Sequence, residues 1–470
     1  MARVSEVFNL QADQSSLDFV DVDVASDNAF YIDPSAVKQL DTRWGHECAA
    51  LIEDFFDTIQ RLIHANRRQR ALDLLSALRE PNETRLGVSS GRPAGHGLGD
   101  GLAEAYYEGI TQDNLYDFYE DFEEIALLTE GIDRDILSDI TTNIIREPLI
   151  RYTQSMCRYY VIRPTRSVAS GVLWDPRTHQ WYEEYARLPV VHSGPLILVP
   201  KVIVRRKLHV RYDEYFQHYI LPFRQRDEIE RRTALVHRRK DGTRFVTKKD
   251  LIARYGRSKR IALEVTRQHI ELLEHYREVK QEERTRPLSH EELGPEPDWD
   301  SLLEAVTDLA VGRPQSRAYE SAVQELLTAL FYPWLVNPRR QRRIDNGRRI
   351  IDITFDNDAT SGFFRWVNDN YGAPTVTMEC KNYSADPRNP EVDQLAGRFN
   401  AGRGWFGVLL CRSVNNMDLL LERCRDWALQ RRSYIIPLTD GDLRELVNRR
   451  RNGDDQGMLR FLRSRFDALM

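Results

Sequence analysis

A chain of 470 residues is too long for one ordinary core, so two or three domains are expected. Its 41% hydrophobic residues are enough to build real cores, and its 30% charged residues give a well-solvated surface. No apolar run approaches the roughly 18 residues of a spanning helix, and the acidic start lacks the basic-then-apolar order of a signal peptide. A soluble, cytoplasmic protein that makes no use of a membrane is therefore expected.

The five cysteines (Cys48, Cys157, Cys380, Cys411 and Cys424) form no CxxC pair and no zinc-ligand spacing. Their odd number and wide scatter fit reduced thiols better than a disulfide framework. The net charge of −5 hides an asymmetry: residues 1–200 carry −14 and residues 201–260 carry +12. So concentrated a positive surplus suggests an anionic partner, nucleic acid first, or else a neutralising contact with the acidic region of the same chain.

In chain order, Leu17 to Val24 alternates apolar and acidic residues at period two and predicts an extended, strand-like start. Trp44 to Leu78 reads as helical. A glycine-rich loop from Gly87 to Gly101 lacks the GK[ST] ending of a phosphate-binding loop and reads as a connector. Residues 102–162 are helical and acidic in pattern, and Trp174 to Tyr185 and Pro195 to Pro200 are strand-like.

In the basic segment, Thr247 to Lys259 superficially resembles a helix-turn-helix, although the helical pattern runs on as one stretch to about Lys280. Arg238, Arg239, Lys248 and Lys249 are its candidate nucleic-acid contacts. Residues 281–300 are polar, acidic and proline-containing, with almost nothing to bury, and predict a linker. The expected organisation is an acidic mixed α/β region (1–200), a basic, partly helical segment (201–280), the linker (281–300) and a C-terminal α/β domain (301–470).

The chemistry concentrates in the last of these. Ser316 to Tyr332 predicts a helix with an apolar stripe of Tyr319, Val323, Leu326, Leu327 and Leu330. Residues 334–344 and 348–355 predict a hairpin turning at Asp345-Asn346-Gly347. Within its second strand, Ile351, Ile353 and Phe355 share one face and Asp352 takes the other. Thr375 to Lys381 predicts a third strand, with Glu379 and Lys381 on one face and Val376, Met378 and Cys380 on the other. A helix from about Pro390 then carries Gln394 and Arg398 one turn apart. Phe406 to Cys411 predicts a buried strand, Asn416 to Gln430 a helix and Tyr434 to Ile436 a short strand, in mixed α/β order.

Two carboxylates and a lysine gathered on adjacent strands suit Mg²⁺-assisted phosphodiester cleavage. The order helix, three strands, helix, strand, with Asp352 on the second strand and Glu379-x-Lys381 on the third, resembles the restriction-endonuclease-like, or PD-(D/E)xK, nuclease superfamily. Ile351 replaces the proline that names the motif. The resemblance implies a core with a central mixed sheet, Mg²⁺ or Mn²⁺ held by Asp352 and Glu379, and Lys381 acting on the attacking water. Glu320 on the first helix would add a metal-shell carboxylate, and Gln394 matches a polar residue that some branches carry after the third strand.

Arg339, Arg340, Arg342, Arg343, Arg348 and Arg349 crowd the hairpin and, with Arg398, form a candidate phosphate clamp. The implied activity is endonucleolytic cleavage of nucleic acid, DNA ahead of RNA. A large sensor-like part joined to a nuclease looks similar to prokaryotic restriction and anti-phage defence proteins. A non-catalytic DNA-binding regulator and an RNase of the same fold remain the alternatives, and a homo-oligomer or a protein partner would engage the N-terminal region.

Overall fold

The computed structural model describes residues 2–10, 12–87, 103–104, 107–108, 111, 121–344 and 349–470. Two hydrophobic cores divide the chain. The first gathers residues from Val4 to Leu293 and borrows Tyr332 and Val336; the second runs from Trp299 to Leu469.

Helices α1 (Arg43–His64), α2 (Arg134–Ile144) and α3 (Arg146–Tyr159) and a hairpin of β1 (Thr165–Asp175) and β2 (Gln180–Leu188) dominate the first core. Trp174 anchors the hairpin: its ring meets Phe55 of α1 edge-on at 4.9 Å, and its indole N–H donates to Asp54 at 2.8 Å. A buried aromatic with a polar edge needs such a partner.

The predicted strand over Leu17–Val24 does not form. Residues 14–24 are buried on every side, and in place of a strand ladder isolated bridges, Phe19 to Pro200 among them, and scattered hydrogen bonds tie the segment to its surroundings. Its carboxylates are satisfied internally: Asp18 accepts from the Tyr152 hydroxyl at 2.7 Å, and Asp21 from the Ser5 amide at 2.8 Å. Alternation arose here from acids that serve as buried hydrogen-bond hubs, not from one wet face.

The basic segment holds α4 (Leu221–Arg231), a two-residue hairpin of β3 (His237–Arg238) and β4 (Arg244–Phe245), α5 (Lys248–Tyr255), α6 (Lys259–Gln268) and α7 (Glu271–Glu282). The expected single helix to Lys280 is broken at His269 and Ile270. Nor does α6 present itself as a groove reader. Ala262, Leu263, Val265 and Thr266 are buried, and Thr266 pairs with the Tyr215 hydroxyl at 2.8 Å.

Residues 281–300 also depart from expectation. Leu288, His290, Leu293 and Trp299 are buried, and His290 Nε2 donates to the Ala329 carbonyl at 3.0 Å. The segment, with α8 (His290–Leu293), is a packed strap across the junction of the two cores.

The second core surrounds a five-stranded mixed sheet of order β9-β8-β7-β6-β5, preceded by α9 (Trp299–Thr307) and α10 (Ser316–Phe331). Strands β5 (Leu335–Ile344), β6 (Arg349–Asn357) and β7 (Thr375–Lys381) pair antiparallel. β7, β8 (Phe406–Cys411) and β9 (Tyr434–Thr439) pair parallel. Parallel neighbours need crossovers, supplied by α12 (Asn389–Ala396) and α13 (Met417–Arg431), and α14 (Asp440–Arg451) and α15 (Asp455–Asp467) close the chain. Helix α11 (Gly362–Tyr371), between β6 and β7, was not anticipated. It buries Phe363, Phe364 and Val367 and ends at Gly372 in the left-handed conformation.

Gly407 allows β8 to lie close to β7, since a Cβ there would meet the Thr377 carbonyl oxygen at 2.7 Å. The glycine-rich loop from Gly91 onward and the Asp345-Asn346-Gly347 turn lie outside the described residues. All five cysteines are buried free thiols, and no helix among the described residues is long and apolar enough to cross a membrane.

Candidate active site

The last paired residues of β6 and β7 are Ile353 and Met378. Extending that antiparallel register by one residue sets Asp352 opposite Glu379, and directly opposed residues share a face of the sheet. The ladder stops there: Asp352 Oδ2 accepts from the Cys380 amide at 3.0 Å in place of the next backbone bond. The carboxylates therefore stand where the two strands part, near the C-terminal ends of the parallel strands. Open α/β sheets form their ligand crevices at strand ends of this kind.

Glu379 is only 2% exposed. β7 is covered on both faces, because it is the central strand of the five, so the expected split into an apolar face and a wet face is corrected. A buried carboxylate needs a charged partner, and Glu379 has two. Lys381 Nζ contacts its Oε1 at 2.9 Å, and the Arg398 guanidinium pairs with its other oxygen. Lys381 Nζ also donates to Gln394 Oε1 at 3.3 Å.

Arg398 is thus not a phosphate contact. It is 4% exposed and lies beyond the end of α12, past Gly397, instead of one turn along the helix from Gln394. The chain there turns in toward β7, and the guanidinium is spent on Glu379.

Helix α10 delivers Glu320. Tyr319, one position earlier, is fully buried and donates its hydroxyl to Asp440 Oδ1 at 3.2 Å, which fixes the rotation of the helix. Glu320 Oε2 accepts from Gln341 Nε2 of β5 at 3.2 Å. Burial, and then the negative charge of Asp352, raise the Glu320 carboxyl above its ordinary range. Burial likewise raises Asp352, against the lowering effects of the Cys380 amide and the Arg398, Lys381 and Arg340 charges. Crowded, half-desolvated carboxylates of this kind invite a compensating cation.

The three acids are neighbours but not a closed cage. No group of three His, Cys, Asp or Glu among the described residues stands ready to hold a metal ion. Glu320 is hydrogen-bonded to Gln341 and feels the negative charge of Asp352. Two carboxylates still fit Mg²⁺, which keeps several waters and uses one or two protein ligands.

The expected arginine clamp is divided. Arg339 is committed to buried Asp356 at 2.7 Å. Arg340 donates to the Arg317 carbonyl at 3.0 Å and stays clear of any ion pair among the described residues. Arg348, and the side chains of Arg342, Arg343 and Arg349, lie outside the described residues. In the basic segment Arg238, Arg239 and Lys249 are exposed, whereas Lys248 donates to the Gln217 carbonyl at 2.7 Å. Lys259 and Arg260 at the start of α6 reach the acidic region, Arg260 through its amide to Glu130 at 3.2 Å.

Sequence reasoning missed Gln341, the partner of Glu320. Gln341 has φ 46° inside a strand, and no residue pattern announces such an irregularity.

A domain family of unknown function, DUF8370, matches residues 9–211, which lie within the first core. No curated protein and no solved structure matches the chain.

Proposed function

We propose that the C-terminal domain is a metal-dependent nuclease of the PD-(D/E)xK type that hydrolyses phosphodiester bonds of nucleic acid, DNA foremost. One observation supports the reading: the β6–β7 register, extended by one residue, sets Asp352 opposite Glu379 where the strands part, with Lys381 at the same strand end. The element order of the superfamily core, with α11 as an insertion between its second and third strands, supports it.

Asp352 and Glu379 would hold Mg²⁺ or Mn²⁺, with Glu320 as an outer carboxylate; the bound ion supplies a Lewis acid for the phosphate and a water of lowered pKa. Arg398 pairs with the Glu379 carboxylate and fixes its orientation. Lys381, held between Glu379 and Gln394, orients the attacking water and offsets charge developing on the phosphorus centre. The DUF8370-matched region would act as the recognition or sensing part, consistent with a role in prokaryotic defence.

A second reading has one observation in its favour. Glu379 already has two cationic partners, as in a nuclease fold retired to a DNA-binding scaffold. Incubating the purified chain with Mg²⁺ or Mn²⁺ and duplex DNA, single-stranded DNA or RNA separates the two. Metal-dependent cleavage that disappears in Asp352→Asn supports the enzyme. Cleavage retained in that variant, or absent in the wild type, removes it.

A further inference from the structure

Beside the carboxylate site an open groove of about 700 Å³ runs between the two cores. One wall is the end of α3, with Arg158, Tyr159 and Val161; the other is Arg317 of α10 with Arg340 and Gln341 of β5. Gln341 is also the residue bonded to Glu320, so one wall of the groove is a single side chain away from the proposed outer carboxylate. No carboxylate lines it, and Arg158, Arg317 and Arg340 form no ion pair among the described residues. Three guanidinium groups line one trough, Arg340 held by the Arg317 carbonyl, and make it a site for an anion with several charges.

The walls are held together. α3 packs on β5, and buried Asp18 accepts both the Tyr152 hydroxyl of α3 at 2.7 Å and the Asn337 amide of β5 at 3.0 Å. The groove is therefore a feature of the whole chain, with one wall from the DUF8370-matched region.

Val161 adds a second, independent observation. It lies just past α3, 80% exposed, with φ 58°. A β-branched residue in the left-handed region is strained, and here the strain holds a large apolar side chain out over the lip of an arginine-lined groove. Phosphates with apolar sugar and base faces beside them match that pairing of surfaces.

We infer that this groove seats the phosphodiester strand of the nucleic acid being cut, so that the N-terminal region is part of the substrate site through Arg158 and Val161. The inference rests on the nuclease reading for its direction, and on the groove alone for its ligand. The test uses the full chain carrying Asp352→Asn, which suppresses cleavage, with labelled duplex DNA, single-stranded DNA and RNA read by fluorescence anisotropy across a salt series. Adding Arg158→Glu and Arg317→Glu should weaken the best-bound nucleic acid at least ten-fold. It should also flatten log K against log salt by roughly 1.4 to 1.8, at about 0.7–0.9 for each of the two phosphate contacts.

Val161→Gly should weaken binding several-fold while leaving the melting temperature unchanged or higher, because glycine adopts this backbone freely. A purely structural Val161 would move the melting temperature without moving affinity. Unchanged affinity and slope in the double arginine variant overturn the groove even if the wild type cleaves. Lost binding in that variant upholds the groove even if the wild type proves inactive, in which case only the enzymatic reading falls. The arm bound most tightly identifies the nucleic acid.

Discussion

Two alternating segments of this chain look alike as sequence and behave oppositely as structure. Leu17–Val24 and Ile351–Phe355 both alternate apolar with polar residues, and each carries a carboxylate, Asp18 in the first and Asp352 in the second. In the first, no strand forms and Asp18 is wholly enclosed by Tyr152, Asn337 and the Lys201 charge. In the second, a strand does form, and Asp352 stands where its ladder with β7 ends. A carboxylate surrounded by donors is a structural tie. A carboxylate facing another carboxylate, with a lysine and an open trough beside it, is a place for chemistry. Alternation alone does not separate them; what lies opposite each acid does.

The contrast is sharpest in a pair of variants. Asp352→Asn keeps an acceptor for the Cys380 amide, so stability should change by less than about 1 kcal/mol, while metal-dependent cleavage should fall by about 10³-fold. Asp18→Ala should do the reverse. It strands the Tyr152 hydroxyl and the Asn337 amide, costing roughly 2–4 kcal/mol, with cleavage per folded molecule falling far less than in Asp352→Asn. Denaturant unfolding beside a cleavage assay reads both, and a stability loss in the Asp352 variant matching that of Asp18 would erase the distinction.

Glu379 belongs to both classes. Glu379→Ala removes the carboxylate that both Lys381 and Arg398 pair with at a buried position, so it should cost about 3–5 kcal/mol in addition to activity. If it melts like the wild type, the ion pairs with Lys381 and Arg398 are not what holds this corner of the sheet.

The strap between the cores offers a pH test. Burial, with Lys201 and Arg450 nearby, pushes the His290 imidazole down to about 3. Between its ordinary value near 6.5 and about 3, the unfolded chain takes up a proton that the folded chain refuses. The group therefore removes stability as pH falls through that window, at up to about 1.4 kcal/mol per pH unit, and has no effect above it. His290→Gln should flatten the acid side of the stability–pH curve relative to wild type. Parallel curves would place the acid sensitivity elsewhere.

The smallest effect concerns the exposed hairpin. Neutralising Arg238, Arg239 and Lys249 together should flatten the salt dependence of duplex binding by about two to three, if each meets a phosphate. An unchanged slope removes the hairpin as a phosphate contact and leaves the proposed groove as the candidate.

Much of the C-terminal domain was legible because its signals are local. The apolar stripe of α10, the strand alternation around Asp352 and the unbroken run Phe406–Cys411 follow from side-chain periodicity, and each appears within a residue or two of its expected bounds. The expectation that Asp352 and Glu379 share a face rests on the same alternation, and the register of β6 and β7 agrees with it when extended by one residue.

What sequence could not supply depends on partners far along the chain. Residues 281–300 look like a linker because their few apolar residues are spread out, yet Leu288, His290, Leu293 and Trp299 all find burial at the junction. Arg398 reads as a free cation until the turn after Gly397 aims it at Glu379. The groove of Arg158, Val161, Arg317 and Arg340 joins positions up to 182 residues apart. Periodicity reports which way a side chain points from its own backbone. Which backbone it meets is settled only when the two cores pack, since burial and charge pairing are properties of the assembled surface and not of any segment.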